Sequence, residues 1–92
     1  MHEWPLESPR NVATFTTWSV LRGVEPILNV AHHDGDGSWS FVGVEFDMND
    51  AAIVSLEEIV NIDPSIASLA DLPEGWRAWR EDREAPWRRM KE

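Results

Sequence analysis

The chain has no cysteine, no tyrosine and no apolar run of membrane-spanning length, and it carries almost no positive charge before residue 76. Each absence excludes something. Without cysteine there is neither a disulfide framework nor a thiolate metal site, and the redox compartment is left open. Without roughly 20 consecutive apolar residues no membrane-spanning helix is expected. The opening segment, MHEWPLESPR, shows no basic stretch followed by an apolar core, so no secretory signal is expected and a cytoplasmic location follows by default. A net charge of -9 at pH 7 argues against nucleic acid, whose capture rests on Lys and Arg neutralising phosphates, and against anionic lipid surfaces.

What is present suits one small globular domain spanning residues 1–92, with an irregular lead-in over 1–11 and a loosely tied basic end over 82–92. The composition is 42% apolar and 27% charged, that of an ordinary folded protein. A chain of this length buries only about 60–65% of the surface its unfolded form exposes, so its stability is modest. Six tryptophans are present. Each supplies a large apolar area and one N–H donor, which serves a core or an interface equally.

Charge is unevenly placed. Up to residue 75 only Arg10 and Arg22 are basic, against thirteen Asp and Glu. After that come Arg77, Arg80, Arg83, Arg88, Arg89 and Lys91, interleaved with Trp76, Trp79 and Trp87. An acidic body with a basic, Trp-rich end points either to a segment that docks on its own body or to one that meets a partner.

The coarse pattern is α+β: a small, mostly antiparallel sheet with short helices packed on one face. Residues 12–16 alternate as a first strand, and Thr17 can cap a helical turn that Gly23 ends. Residues 26–42 read as a β-hairpin turning at Asp34-Gly35-Asp36-Gly37, where glycine tolerates positive φ and aspartate bonds its own backbone. A polar loop over 45–50 leads to a short buried strand at 51–54. Ser55-Leu56-Glu57-Glu58 is a capping box opening a helix that buries Leu56, Ile59 and Val60. Asp63-Pro64 is a second start signal, for a helix burying Ile66, Leu69 and Ala70. Residues 76–81 alternate as a final strand.

From Ile53 to Ile66 the text runs IVSLEEIVNIDPSI, followed by LADLPEGW over 69–76 and preceded by DGDGSWSF over 34–41. This combination resembles a family of small uncharacterised bacterial proteins, distantly similar to toxin-immunity-type proteins. The resemblance covers roughly residues 12–80. It implies the fold and a protein-binding, immunity-like or regulatory role, and it attaches no catalytic residue to the motif.

Few residues carry site chemistry. His32, His33, Asp34 and Asp36 are the one cluster of metal-ligand type, and Asp34, Asp36, Ser38 and Glu45 fall at loop positions 1, 3, 5 and 12 of a calcium-binding EF-hand. Position six needs glycine and is Trp39, while the flanks are strands. Adjacent histidines on a strand also point to opposite faces. A solvated hairpin turn is the better reading, with no metal and no cofactor. Glu57 and Glu58 sit at a helix start, where the macrodipole stabilises negative charge. No Gly-x-Ser-x-Gly elbow and no phosphate-binding loop occurs, so nothing implies an enzyme.

The sharper hypothesis is Trp76-Arg77-Ala78-Trp79-Arg80. Arginine and tryptophan are the residue types enriched at interface hot spots. Strand alternation puts Trp76 in the core with Ala78 and leaves Trp79 on the other face. Trp79, Arg77 and Arg80 are therefore the candidate partner-binding residues, and the expected partner is another protein. The competing reading is structural, with these side chains packed or ion-paired on the acidic body. A further alternative is a small-molecule or enzymatic site between the hairpin and the Trp-rich C-terminal segment.

Overall fold

The alternating segments become the strands of one sheet. The computed structural model describes residues 4, 6, 8–44 and 47–92. Its strands are β1 (Ala13–Thr17), β2 (Asn29–His32), β3 (Trp39–Val42), β4 (Ala51–Ser55), β5 (Trp76–Trp79) and β6 (Arg88–Lys91). They lie side by side in the order β4-β1-β3-β2-β5-β6. Two α-helices, α1 (Trp18–Leu21) and α2 (Leu56–Ile62), a 3-10 turn at Met48–Asp50 and a 3-10 helix at Pro64–Leu69 complete the α+β architecture.

The sheet is mixed, with one parallel pair among its five. β1 runs parallel to β3, with Phe15 beside Ser40, while the other four neighbouring pairs are antiparallel. The cause is topological. α1 and residues 22–28 carry the chain past one strand position before β2 runs back, so the tight hairpin returns β3 in the direction of β1. That hairpin turns at residues 34–37 as its sequence predicts, with Gly35 at φ +99° and Gly37 at +71°.

Capping signals translate directly. The Thr17 hydroxyl accepts from the Val20 amide at 3.3 Å, and Gly23 at φ +74° ends the short helix. Ser55 Oγ accepts from the Glu58 amide at 3.3 Å, opening α2, whose Leu56 and Ile59 are buried. Asp63 Oδ1 accepts from the Ser65 amide at 3.0 Å, and Pro64 takes the first helical position of the 3-10 helix.

Two expectations fail. Residues 51–54 are not a buried strand: β4 is an edge of the sheet, with Ile53 65% exposed. The C-terminal end is not loosely tied either. β6 pairs along the whole of β5, Trp76 opposite Lys91 and Trp79 opposite Arg88, and so covers a backbone edge that would otherwise lie unpaired. The intervening turn is held by Asp82, whose carboxylate accepts from the amides of Glu84 and Ala85, each at 2.9 Å.

The core lies on one face of the sheet only. Leu56, Ile59, Ile66 and Leu69 from the helices pack with Val30, Trp39, Phe41 and Ala78 from the strands. Thr14 and Thr16 are buried on the same face, and their hydroxyls donate to the carbonyls of Val54 (3.0 Å) and Phe41 (2.6 Å), which removes the desolvation cost of polar groups in a core. Among the described residues no helix is long and apolar enough to cross a membrane.

Candidate functional site

Because side chains alternate along each strand, packing the helices on one face leaves a complete second face. Apart from Thr17, buried where β1 runs into α1, its strand residues are half-buried or exposed. Its central row follows from the strand register: Ile53, Phe15, Ser40, Ala31, Arg77 and Met90, one residue from each strand in spatial order. Ile53, Phe15 and Met90 are 65%, 44% and 46% exposed. Beside Arg77 on β5 stands half-buried Trp79, flanked across the ladder by Asn29 and Arg88. A shallow depression of about 240 Å³ opens on this face among Ala31, Ser40, Val42, Val44, Arg77 and Glu92.

The three candidate partner-binding residues separate. Arg77 is exposed and Trp79 half-buried, both on the open face. Trp76 faces the core side and packs against it, as strand alternation predicts, but it is only half-buried, so the expected contrast in burial between Trp76 and Trp79 is absent.

Arg80 is not a surface residue, and its assignment to a partner surface is overturned. It is 4% exposed on the core side. Its guanidinium pairs with the Asp63 carboxylate, donates twice to the Ile27 carbonyl (3.1 and 2.9 Å), and donates to Ser65 Oγ (3.0 Å) and the Arg83 carbonyl (3.2 Å). The Trp87 ring lies 4.2 Å from its Cζ, a cation–π contact. Parity carries the reason: Trp76, Ala78 and Arg80 are two apart and share a face. That signal was present in the sequence, but the buried counter-ion at Asp63 was not visible in it.

Burial raises the pKa of the Asp63 carboxyl, but hydrogen bonds from the Ser65 hydroxyl and the Arg80 guanidinium outweigh it and hold the group below the usual carboxylate range. No buried polar side-chain atom among the described residues lacks a partner.

The hairpin turn behaves as turn chemistry. Asp36 Oδ1 accepts from the amide and hydroxyl of Ser38 at 3.0 and 2.9 Å, and these bonds hold its pKa below the ordinary value. Asp34 is exposed, and Glu45 lies outside the described residues. His32 and His33 point to opposite faces, as alternation requires. His33 Nε2 meets Ser40 Oγ at 2.6 Å on the open side. On the core side His32 stacks on Trp39 with centroids 3.9 Å apart, and its Nδ1 lies 2.7 Å from the Leu72 carbonyl. A carbonyl can only accept, so Nδ1 carries a hydrogen and donates it there. His32 borders a cleft of about 640 Å³, walled by Asp36, Gly37, Leu72, Pro73 and Glu74.

No family model, curated protein or solved structure matches the chain.

Phe15, Ile53 and Met90 are the residues that sequence reasoning missed. Alternation in ATFTT and AAIVS marks Phe15 and Ile53 as lying opposite the core positions of their strands. Their meeting with Arg77 in one row depends on strand order, which no local pattern encodes.

Proposed function

We propose that this is a non-catalytic protein-binding module and that the open face of its sheet is the binding surface, with Trp79 and Arg77 on β5, next to the edge strand β6. One observation carries the reading: the helices that enter the core pack on one side of six strands, and on the other side Ile53, Phe15, Arg77 and Met90 stand exposed in a single row. Exposed apolar side chains gathered on one face are a mark of interaction sites in soluble proteins. The body measures 30 × 29 × 28 Å, so one face offers on the order of 800 Å², the per-partner share of a standard interface. An immunity-like or regulatory role, in which the chain caps a surface of its partner, suits such a face.

Residue-specific photo-crosslinking tests the proposal. A photoreactive side chain at position 15 or 79, introduced in the cells that make the protein, is expected to trap discrete adducts. The same group at exposed positions 58 and 68 on the helical side is expected not to do so. Equal labelling from both sides would overturn the assignment.

The second reading, a small-molecule site between the hairpin and the segment entering β5, has the cleft beside His32 in its favour. Its distinguishing result is a small molecule whose saturable binding is lost in His32→Gln while crosslinking from the open face is absent.

A further inference from the structure

Charge on this protein is segregated by secondary structure. None of its seventeen Asp and Glu lies in any of the six described strands, whereas Arg77, Arg88, Arg89 and Lys91 do. Alternation sends Arg77 and Arg88 to the open face, next to Trp79 and Met90. Arg89 turns the other way, where Nη1 meets the Asp71 carboxylate at 2.7 Å. Arg77 forms no ion pair among the described residues, and Arg88 reaches only the exposed Glu81, at 3.9 Å. The open face therefore carries no charged side chain on the strand positions of β4, β1, β3 and β2 and is positive across β5 and β6, on a body whose net charge is -9.

We propose that the partner presents an acidic segment with an apolar anchor, seated along β2, β5 and β6. Its carboxylates meet Arg77 and Arg88, and its anchor enters the depression bordered by Ala31 and Val42. This rests on the protein-binding reading of the same face and adds the chemistry of the partner. Charge complementarity supports it in two ways. An acidic segment is attracted to this patch and repelled by the carboxylate-rich remainder of the surface, so the body's own charge orients the encounter. A planar guanidinium next to a tryptophan also pairs a carboxylate while the ring covers apolar surface, the combination found at hot spots. Glu92 at the rim and Glu81 near Arg88 screen the patch weakly, being exposed, and a row of partner carboxylates can displace them.

Selection of a random peptide display library on the immobilised full-length chain tests the idea. The expected peptides are enriched in Asp and Glu around a Leu, Ile, Phe or Trp. A synthetic copy should bind saturably, shift amides of Asn29–His32, Trp76–Trp79 and Arg88–Lys91, and weaken as salt rises. Arg77→Glu combined with Arg88→Glu should lower its affinity at least about tenfold, with Arg77→Lys intermediate. Both arginines are exposed, and an unchanged amide spectrum outside the patch confirms that the charge variants fold.

Selected peptides that lack acidic enrichment, or that bind the charge-reversed variant equally, overturn the proposal. If those peptides are still lost in Trp79→Ala and Phe15→Lys, the protein-binding face stands and only the partner's chemistry is wrong. If none of these substitutions matters, both fall. Two other occupants give their own signatures, each of which also overturns the proposal. A second copy shows as concentration-dependent mass in sedimentation, and a nucleic acid shows as oligo-dT outcompeting the peptide on the same amides.

Discussion

Arg80 and Asp63, seventeen residues apart, form a buried ion pair beneath the ring of Trp87 and so join the end of β5 to the cap of the 3-10 helix. The same carboxylate caps that helix through Ser65, and the same guanidinium ties down the Ile27 carbonyl ahead of β2. Three segments that share no local sequence therefore depend on one pair of charges.

Removing either charge leaves the other buried without a counter-ion. Asp63→Ala and Arg80→Ala should each destabilise the fold by about 3–5 kcal/mol. The double variant Asp63→Ala/Arg80→Met, which leaves no orphaned charge, should cost less than the sum of the two. Denaturant melts of the three variants check this, and additive losses would mean the pair is not coupled.

The same carboxyl sets an acid limit. Its pKa is lowered in the folded state, so its contribution to stability is fully present above the unfolded value of about 3.9 and is lost as pH falls through the lower folded value. The urea midpoint should be insensitive to this group between pH 5 and pH 7 (roughly one unit or more above that value) and should fall below about pH 4. Asp63→Asn should be less stable at neutral pH and show a shallower acid decline. A decline as steep as in the parent chain would assign the acid limit to other groups, such as exposed Asp71, whose pKa the Arg89 hydrogen bond lowers.

Ser55 is the N-cap of α2, and its hydroxyl satisfies the Glu58 amide. Ser55→Ala should cost roughly 0.5–2 kcal/mol. Glu57→Gln should cost less than about 1 kcal/mol, because it loses a first-turn charge and an exposed pair with Arg10 at 3.2 Å. Equal midpoints for the two variants would place the helix start elsewhere.

Trp76 and Trp79 are alike in exposure and differ in what they face. Trp76→Ala opens the rim of the core and should cost roughly 2–3 kcal/mol, short of the 3–5 kcal/mol of a fully enclosed aromatic. Trp79→Ala removes a ring from the open face and should cost about 1 kcal/mol. Thermal melts rank them. A larger loss at Trp79 would make that residue structural and remove it from the interface.

Local chemistry was legible in the sequence wherever a local rule governs it. The Asp-Gly-Asp-Gly turn, the Thr17, Ser55 and Asp63 caps and the helix stop at Gly23 each depend on groups within about four residues of one another, because backbone hydrogen bonds at turns and helix ends are satisfied locally. The separation of Trp76 from Trp79 likewise follows from the two-residue period of a strand.

Strand order was decided only when the chain closed on itself. The parallel meeting of β1 and β3, the placing of β4 at one edge and β6 at the other, and the burial of Arg80 on Asp63 all join residues far apart in sequence. Hydrophobic alternation states which side of a strand is buried but not which strand lies next to it. Pairing is chosen by the packing of the whole core, and here that packing places the helices that enter the core on one face. The row from Ile53 to Met90 is open for that reason, and no segment of the chain encodes it alone.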